Sequence, residues 1–353
     1  MKKLLLAGLA MACLCPTLMA KTITVSNNPN SPGQYTRLDS AILAASAGDL
    51  ILVSGSATDY AVAAGGTITI SKPLTLYGQG YDPRNDQALA SIMSNVHITV
   101  AGSGSTIEGF SITTQIYEDQ GTNNIVISRC NINDMWSGSC YCSGIAGNNY
   151  DISENIIGNV AIAANVSGIM IQNNIFTGSI GGQTTSSNIM ITNNYFAGTT
   201  GINGVYAGLY NATINNNIFY YKSTSTSGAT ANATNCSFNN NIYFNSTSAN
   251  PFGIGTNNNT GSGNINANPD FVSITFTTSS VTRADNFNLQ TASPGINAGT
   301  DGTNIGPSGG SLPMPYPYSG QPPIPFIQAM SLSNPVIPPN GTLNVKFQAS
   351  SSN

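Results

Sequence analysis

Between Ile152 and Tyr243 the chain repeats one short pattern five times. The copies are ISENII from Ile152, IQNNIF from Ile171, ITNNYF from Ile191, INNNIF from Ile214 and FNNNIY from Phe238. Each copy has an apolar residue, two polar residues, an asparagine, any residue, and then an apolar or aromatic one. The shared asparagines are Asn155, Asn174, Asn194, Asn217 and Asn241. Their spacing is irregular but stays near one turn of a solenoid, and self-similarity at such a period means stacked coils rather than one globular core. The pattern alternates as a strand does and then bends. An inward asparagine at a bend can satisfy its own backbone and bond the same asparagine of the next coil. The five are therefore expected to stack in one inward column, a structural ladder.

Upstream the asparagine is replaced. ISRCNI puts Cys130 in the column and IEGFSI puts Phe110 there. Coils of this type resemble those of the right-handed parallel β-helix proteins, the pectate-lyase-like superfamily, over roughly Thr22 to Gly306. The resemblance implies an all-β, right-handed parallel β-helix. It implies little about activity, because that fold carries lyases, hydrolases, epimerases and adhesins.

Only 7% of the 353 residues are charged, against about 25% in ordinary globular chains. Asn, Ser, Thr and Gly supply the polarity, which suits a solenoid surface of hydroxyls and amides. A net charge of −4 gives no basic field for nucleic acid. Met1 to Ala20 reads as a signal peptide, with Lys2 and Lys3 ahead of an apolar run too short to span a bilayer. The expectation is a secreted or cell-surface protein without a membrane span. A lipoprotein with its lipid anchor at Cys13 is the second reading.

The organisation expected is a signal peptide over 1–20, a parallel β-helix over 21–307, a Pro/Gly-rich linker over 308–325, and a β-hairpin or truncated β domain over 326–353. The β-helix should open with a short N-terminal capping helix. Thr36 would cap it, Leu38, Ile42 and Ala45 would share its buried face, and Gly48 would end it. The linker should be extended and exposed. NFNLQTASPGINAGT, from Asn286, resembles the closing coil of secreted bacterial β-helix proteins. In an exporting compartment Cys130 is expected to bridge to Cys140 or Cys142. No metal site and no cofactor is expected, since CYC lacks zinc-finger spacing and the single histidine, His97, is remote in sequence.

From Asn155 to Pro269 the only charged residue is Lys222. Charge gathers just before, in Glu108, Glu118, Asp119, Arg129, Asp134, Asp151 and Glu154. That span also holds the longest insert between coils, with Trp136, Tyr141 and Tyr150 as candidate sugar-stacking aromatics. Arg129 and Glu154 each precede the column residue of consecutive coils, so they are expected to meet, with Asp134 beside them under the Trp136 loop. Arg129, Asp134, Asp151 and Glu154 are the candidate catalytic residues, Asp134 with Asp151 as an acid and base pair. His97 reads as a half-exposed strand residue. The function expected is glycan binding or a structural role without catalysis, with a polysaccharide as partner. A carbohydrate-active enzyme, lyase or hydrolase, is the alternative. Ice binding would need regular threonine ranks, which are absent.

Overall fold

The fold was analysed in a computed structural model. It describes residues 20–60, 66–82, 89–135, 144–182, 185–198, 209–225, 233–274, 281–282, 284–333 and 336–351. Residues 1–19 of the expected signal peptide, with Cys13, and the insert residues Trp136, Cys140, Tyr141 and Cys142, lie outside the described residues.

The chain is a parallel β-solenoid. Two 11-stranded sheets run its length, and from Leu50–Val53 onward each coil gives a strand to both. The first sheet begins at Thr22–Val25 and Leu50–Val53 and ends at Thr260–Ser262. The second begins at Thr67–Ile70 and ends at Ile265–Asn266. Successive strands pair in parallel with the repeats in register, as in Ile152 with Ile171, Ile171 with Ile191, and Ile191 with Ile214. These isoleucines are fully buried, and Phe176, Phe196 and Phe219 stack inside the second sheet with ring centroids 4.8 and 4.9 Å apart. A period-2 strand with one face on the core gives this alternation directly.

At the turn that joins the two sheets the interior is polar. Asn155, Asn174, Asn194, Asn217 and Asn241 are all buried at 0% exposure. The Nδ2 of Asn155 donates to Asn174 Oδ1 at 3.0 Å, Asn174 to Asn194 at 3.0 Å, Asn194 to Asn217 at 3.0 Å, and Asn217 to Asn241 at 3.1 Å. Each Oδ1 also accepts the backbone N–H one coil earlier, from Cys130 N to Asn155 through to Asn217 N to Asn241, all at 2.9 Å. Asn264 continues the row beyond Asn241. The bend leaves backbone groups inside the solenoid with no strand partner, and an amide is the side chain that can both donate and accept there.

One helix, Leu38–Ala44, lies on the first strands, with Leu38, Ala41 and Ile42 buried. Its N-cap is Arg37, which pairs with Asp39, and no side chain caps it; Thr36 does not serve. Cys130 is a free thiol pointing inward, where it accepts from Phe110 N–H and contacts Ser128 O at 3.1 Å. The expected bridge to Cys140 or Cys142 is therefore not made, because the column position aims its Sγ into the core. Burial pushes this thiol up to about 12.

The C-terminal third differs from the sequence reading. Asn286–Leu289 does not close the solenoid as a coil. It pairs antiparallel with Phe271–Ser273 and lies on the outer face of the second sheet. Met314, Tyr318 and Ser319, within the stretch expected to be exposed, are buried there. The reason is the residue that follows each column asparagine. Ile156, Ile175, Tyr195, Ile218 and Ile242 point outward yet are buried, and form a second apolar core with Phe271, Phe287, Ile305, Met314 and Tyr318. An outward row of large apolar residues must be covered, and Phe271, Phe287, Leu289, Ile305, Met314 and Tyr318 cover it. Pro325–Leu332 and Val345–Ser351 then form an antiparallel hairpin.

Asn194 tests the interior. Replacing it with Leu removes the acceptor of Asn174 N–H and the donor to Ile171 O. The loss of folding stability should be at least about 1–3 kcal/mol, the cost of a buried group left unpaired. Urea denaturation measures it, and a change near zero would mean that the amide carries no structural burden.

Candidate functional site

A column of turn residues stands just before the buried asparagines. Arg129, Glu154, Asn173, Asn193, Asn216 and Asn240 all have φ between 50° and 58°. Only Gly and Asn take this left-handed region readily. Arg129 and Glu154 break the rule. Arg129 Nε donates to Glu154 Oε2 at 2.9 Å and lies 3.5 Å from Glu108 Oε1. Its Nη1 donates to Gln321 O at 3.2 Å, so the cluster is roofed by the C-terminal segment. The three side chains are about nine-tenths buried.

One guanidinium faces two carboxylates here. Burial pushes Glu108 up to about 7, opposed by Arg129 and reinforced by the negative charge of Glu154. The cleft beside them, lined by Tyr81, Arg129, Glu154, Tyr318 and Gly320, has a volume of about 10 Å³. That is room for about one water molecule and not for a sugar ring. The four asparagines above are occupied as well. Asn173 Nδ2 donates to Pro307 O and Gly309 O, Asn193 to Asn304 O, and Asn240 to Ala298 O, while Asn216 Oδ1 accepts from Thr300 N. This face holds the chain's own tail.

The remaining candidates are not brought together. Asp134 lies in the Asn131–Met135 strand of the second sheet and accepts from Asn159 Nδ2 at 2.8 Å. Asp151 lies in the first sheet and accepts from Gln172. The two carboxylates stand on different sheets, so they cannot act as acid and base across one bond. Tyr150 is 2% exposed and offers no stacking surface. Its hydroxyl contacts Glu118 Oε2 at 2.5 Å and Thr122 O at 3.0 Å. The Tyr150 hydroxyl donates to Glu118 Oε2, which also accepts from Ala146 N–H. Burial pushes Glu118 up to about 8, opposed by the hydrogen bonds from Tyr150 and Ala146.

A different group is accessible. Thr69, His97 and Tyr117 are register neighbours on the outer face of the second sheet, before the covered part begins. The His97 and Tyr117 rings stack with centroids 4.7 Å apart and planes 12° apart. His97 Nε2 lies 2.9 Å from Asp119 Oδ1, and the Asp119 side chain is 48% exposed. Asn95, Gln115, Asp134 and Asn159 run alongside in one register row. Sequence reasoning passed over His97 because its partners arrive from the next coil. Aligning VHIT (from Val96) with IYED (from Ile116) sets His97 over Tyr117 and Thr99 over Asp119, and would have shown it.

Among the described residues no group of three or more His, Cys, Asp or Glu side chains is placed to hold a metal ion, and no helix is long and apolar enough to cross a membrane. No family model matches the chain, and no curated protein matches it.

Glu108 and Glu118 make stability depend on pH. Both titrate above the ordinary 4.5 when folded, so their protonated forms favour the fold. Their contribution is complete below the unfolded value and is lost as pH rises through about 7 and about 8. The melting temperature should fall across that window, and less in Glu108→Gln and Glu118→Gln. Equal slopes in parent and variants would assign the titration to other groups.

Proposed function

We propose that this β-helix is an exported glycan-binding protein without catalytic activity. Its ligand lies on the uncovered first half of the second sheet. The observation that carries the reading is the His97 and Tyr117 stack, an aromatic platform set among amides, hydroxyls and carboxylates on the outer face. Sugar rings present an apolar C–H face to an aromatic ring and hydroxyls to its polar neighbours, and Gln115, Asp119 and Asn159 supply both donors and acceptors. The outward residues of these strands include Thr67, Thr69, Asn95, Gln115, Asn133 and Asp134, without a lysine or arginine. That surface suits a neutral glycan better than an anionic uronate polymer. Export rests on the leader at Met1 to Ala20.

Catalysis has weaker support because Arg129 and Glu154 are consumed in a buried contact and Asp134 is remote in sheet position from Asp151. His97 with Asp119 has the composition of a general base and its orienting carboxylate, which keeps the enzymatic reading worth measuring.

The experiment is a panel of neutral and acidic polysaccharides, read for binding, reducing-sugar release and unsaturated-uronate absorbance. Binding of a neutral glycan without product is expected. Tyr117→Ala should weaken it about tenfold, the value of one aromatic stack, with an unchanged melting temperature. Product formation, or full affinity in Tyr117→Ala, would overturn the proposal.

A further inference from the structure

A second column of left-handed turns runs along the other edge of the first sheet. Asn124, Asn149, Gly168, Asn188, Asn211 and Asn235 have φ between 51° and 71° and are register equivalents in successive coils. The five asparagines are exposed. At Gly168 and Asn188 this column repeats the turn of the covered column with its outward apolar residue, while Asp151, Thr213 and Ser237 stand outward after Asn149, Asn211 and Asn235. In the covered column, a left-handed Asn173 is followed by inward Asn174 and outward Ile175, and the same order holds at Asn193 and Asn216. In the exposed column, Gly168 is followed by inward Ile169 and outward Met170, and Asn188 by inward Ile189 and outward Met190. Met170 and Met190 are direct register neighbours, and Met190 is 37% exposed.

The covered column shows what such a surface takes. Its amides donate to backbone carbonyls of residues 298–309, and the apolar row two positions on receives Ile305. The captured segment, AGTDGTNIGPSG, is rich in small residues that let its backbone approach closely. Part of the exposed column bonds to itself, with Asn149 Nδ2 donating to Asn124 Oδ1 at 3.1 Å and Asn235 donating to Asn211. Each amide has a second N–H and further lone pairs for a ligand.

We propose that the exposed column, with Met170 and Met190 beside it, docks an extended glycine- and serine-rich polypeptide segment of a partner. Its amides bind the partner's backbone carbonyls, and the two methionines receive one aliphatic side chain. Methionine suits this because its flexible thioether adapts to the side chain it meets. The surface is on the first sheet and is independent of the glycan platform on the second.

The probe is a labelled peptide of Ala298–Gly309, titrated into the full chain and read by fluorescence anisotropy. Saturable binding is expected at or below about 1 mM. The triple substitution Asn149→Gly, Asn188→Gly and Asn211→Gly removes the amides while glycine keeps the left-handed backbone. It should weaken binding at least about tenfold, as should Met170→Ser with Met190→Ser, the latter pair without a change in melting temperature. No saturable binding would overturn the proposal. So would equal affinity in the triple variant, which would mean that the peptide exchanges with the internal segment on the covered column. A neutral oligosaccharide that binds in place of the peptide, and is lost with the same substitutions, would assign the surface to glycan instead.

Discussion

The row of hydrogen bonds from Asn155 to Asn241 is the constraint on which the rest depends. A solenoid coil must turn between its two sheets, and the turn leaves backbone N–H and C=O groups facing a water-free interior. One buried amide per coil answers both needs at once. Its Oδ1 takes the N–H of the preceding coil and its Nδ2 reaches a carbonyl and the next amide, at 2.8–3.1 Å throughout. Coil-to-coil register is thereby fixed at a point where the sheets alone would not fix it. The isoleucines above and below fall into stacks as a consequence.

The same turn sets the outer surface. An inward asparagine requires a left-handed residue before it and an outward residue after it. The preceding column became Asn173, Asn193, Asn216 and Asn240, which hold residues 298–309 by their backbone. The following column became Ile156, Ile175, Tyr195, Ile218 and Ile242, which Phe271, Phe287, Ile305, Met314 and Tyr318 cover. The tail is thus bound by polar and apolar contacts that issue from one repeated hexapeptide. Where the repeat first departs from asparagine, Arg129 and Glu154 accept left-handed backbone, and Arg129, held by Glu154, binds Gln321 O. Their charges serve the tail, and the open half of the second sheet carries His97 and Tyr117.

Much of the fold was legible in the sequence because its period lies in contiguous hexapeptides. The register of Ile152, Ile171, Ile191 and Ile214 follows from placing one asparagine over the next. The short helix was legible from its apolar face, although its capping residue was misplaced by one. The second core was hidden by treating the residue after each asparagine as free. It is Ile, Ile, Tyr, Ile and Ile, and an unbroken apolar set at an outward position signals a cover. The candidate site was less legible for a physical reason. In a solenoid the neighbours of a side chain come from adjacent coils, about 4.8 Å away in space but some 20 residues away in sequence where inserts vary. Tyr150 read as a loop aromatic and proved to be the buried partner of Glu118. His97 read as solitary and proved to stand between Tyr117 and Asp119.

The central claim is that the asparagine side chains are structural hydrogen-bonding groups locked until the solenoid unfolds. Hydrogen exchange of the side-chain amides, resolved by NMR, tests it directly. The Nδ2 protons of Asn155, Asn174, Asn194 and Asn217 should exchange only through global opening, as slowly as the most protected backbone amides, while those of exposed Asn124 and Asn188 exchange at once. Fast exchange at the buried positions, equal to that at Asn124 and Asn188, would contradict the account.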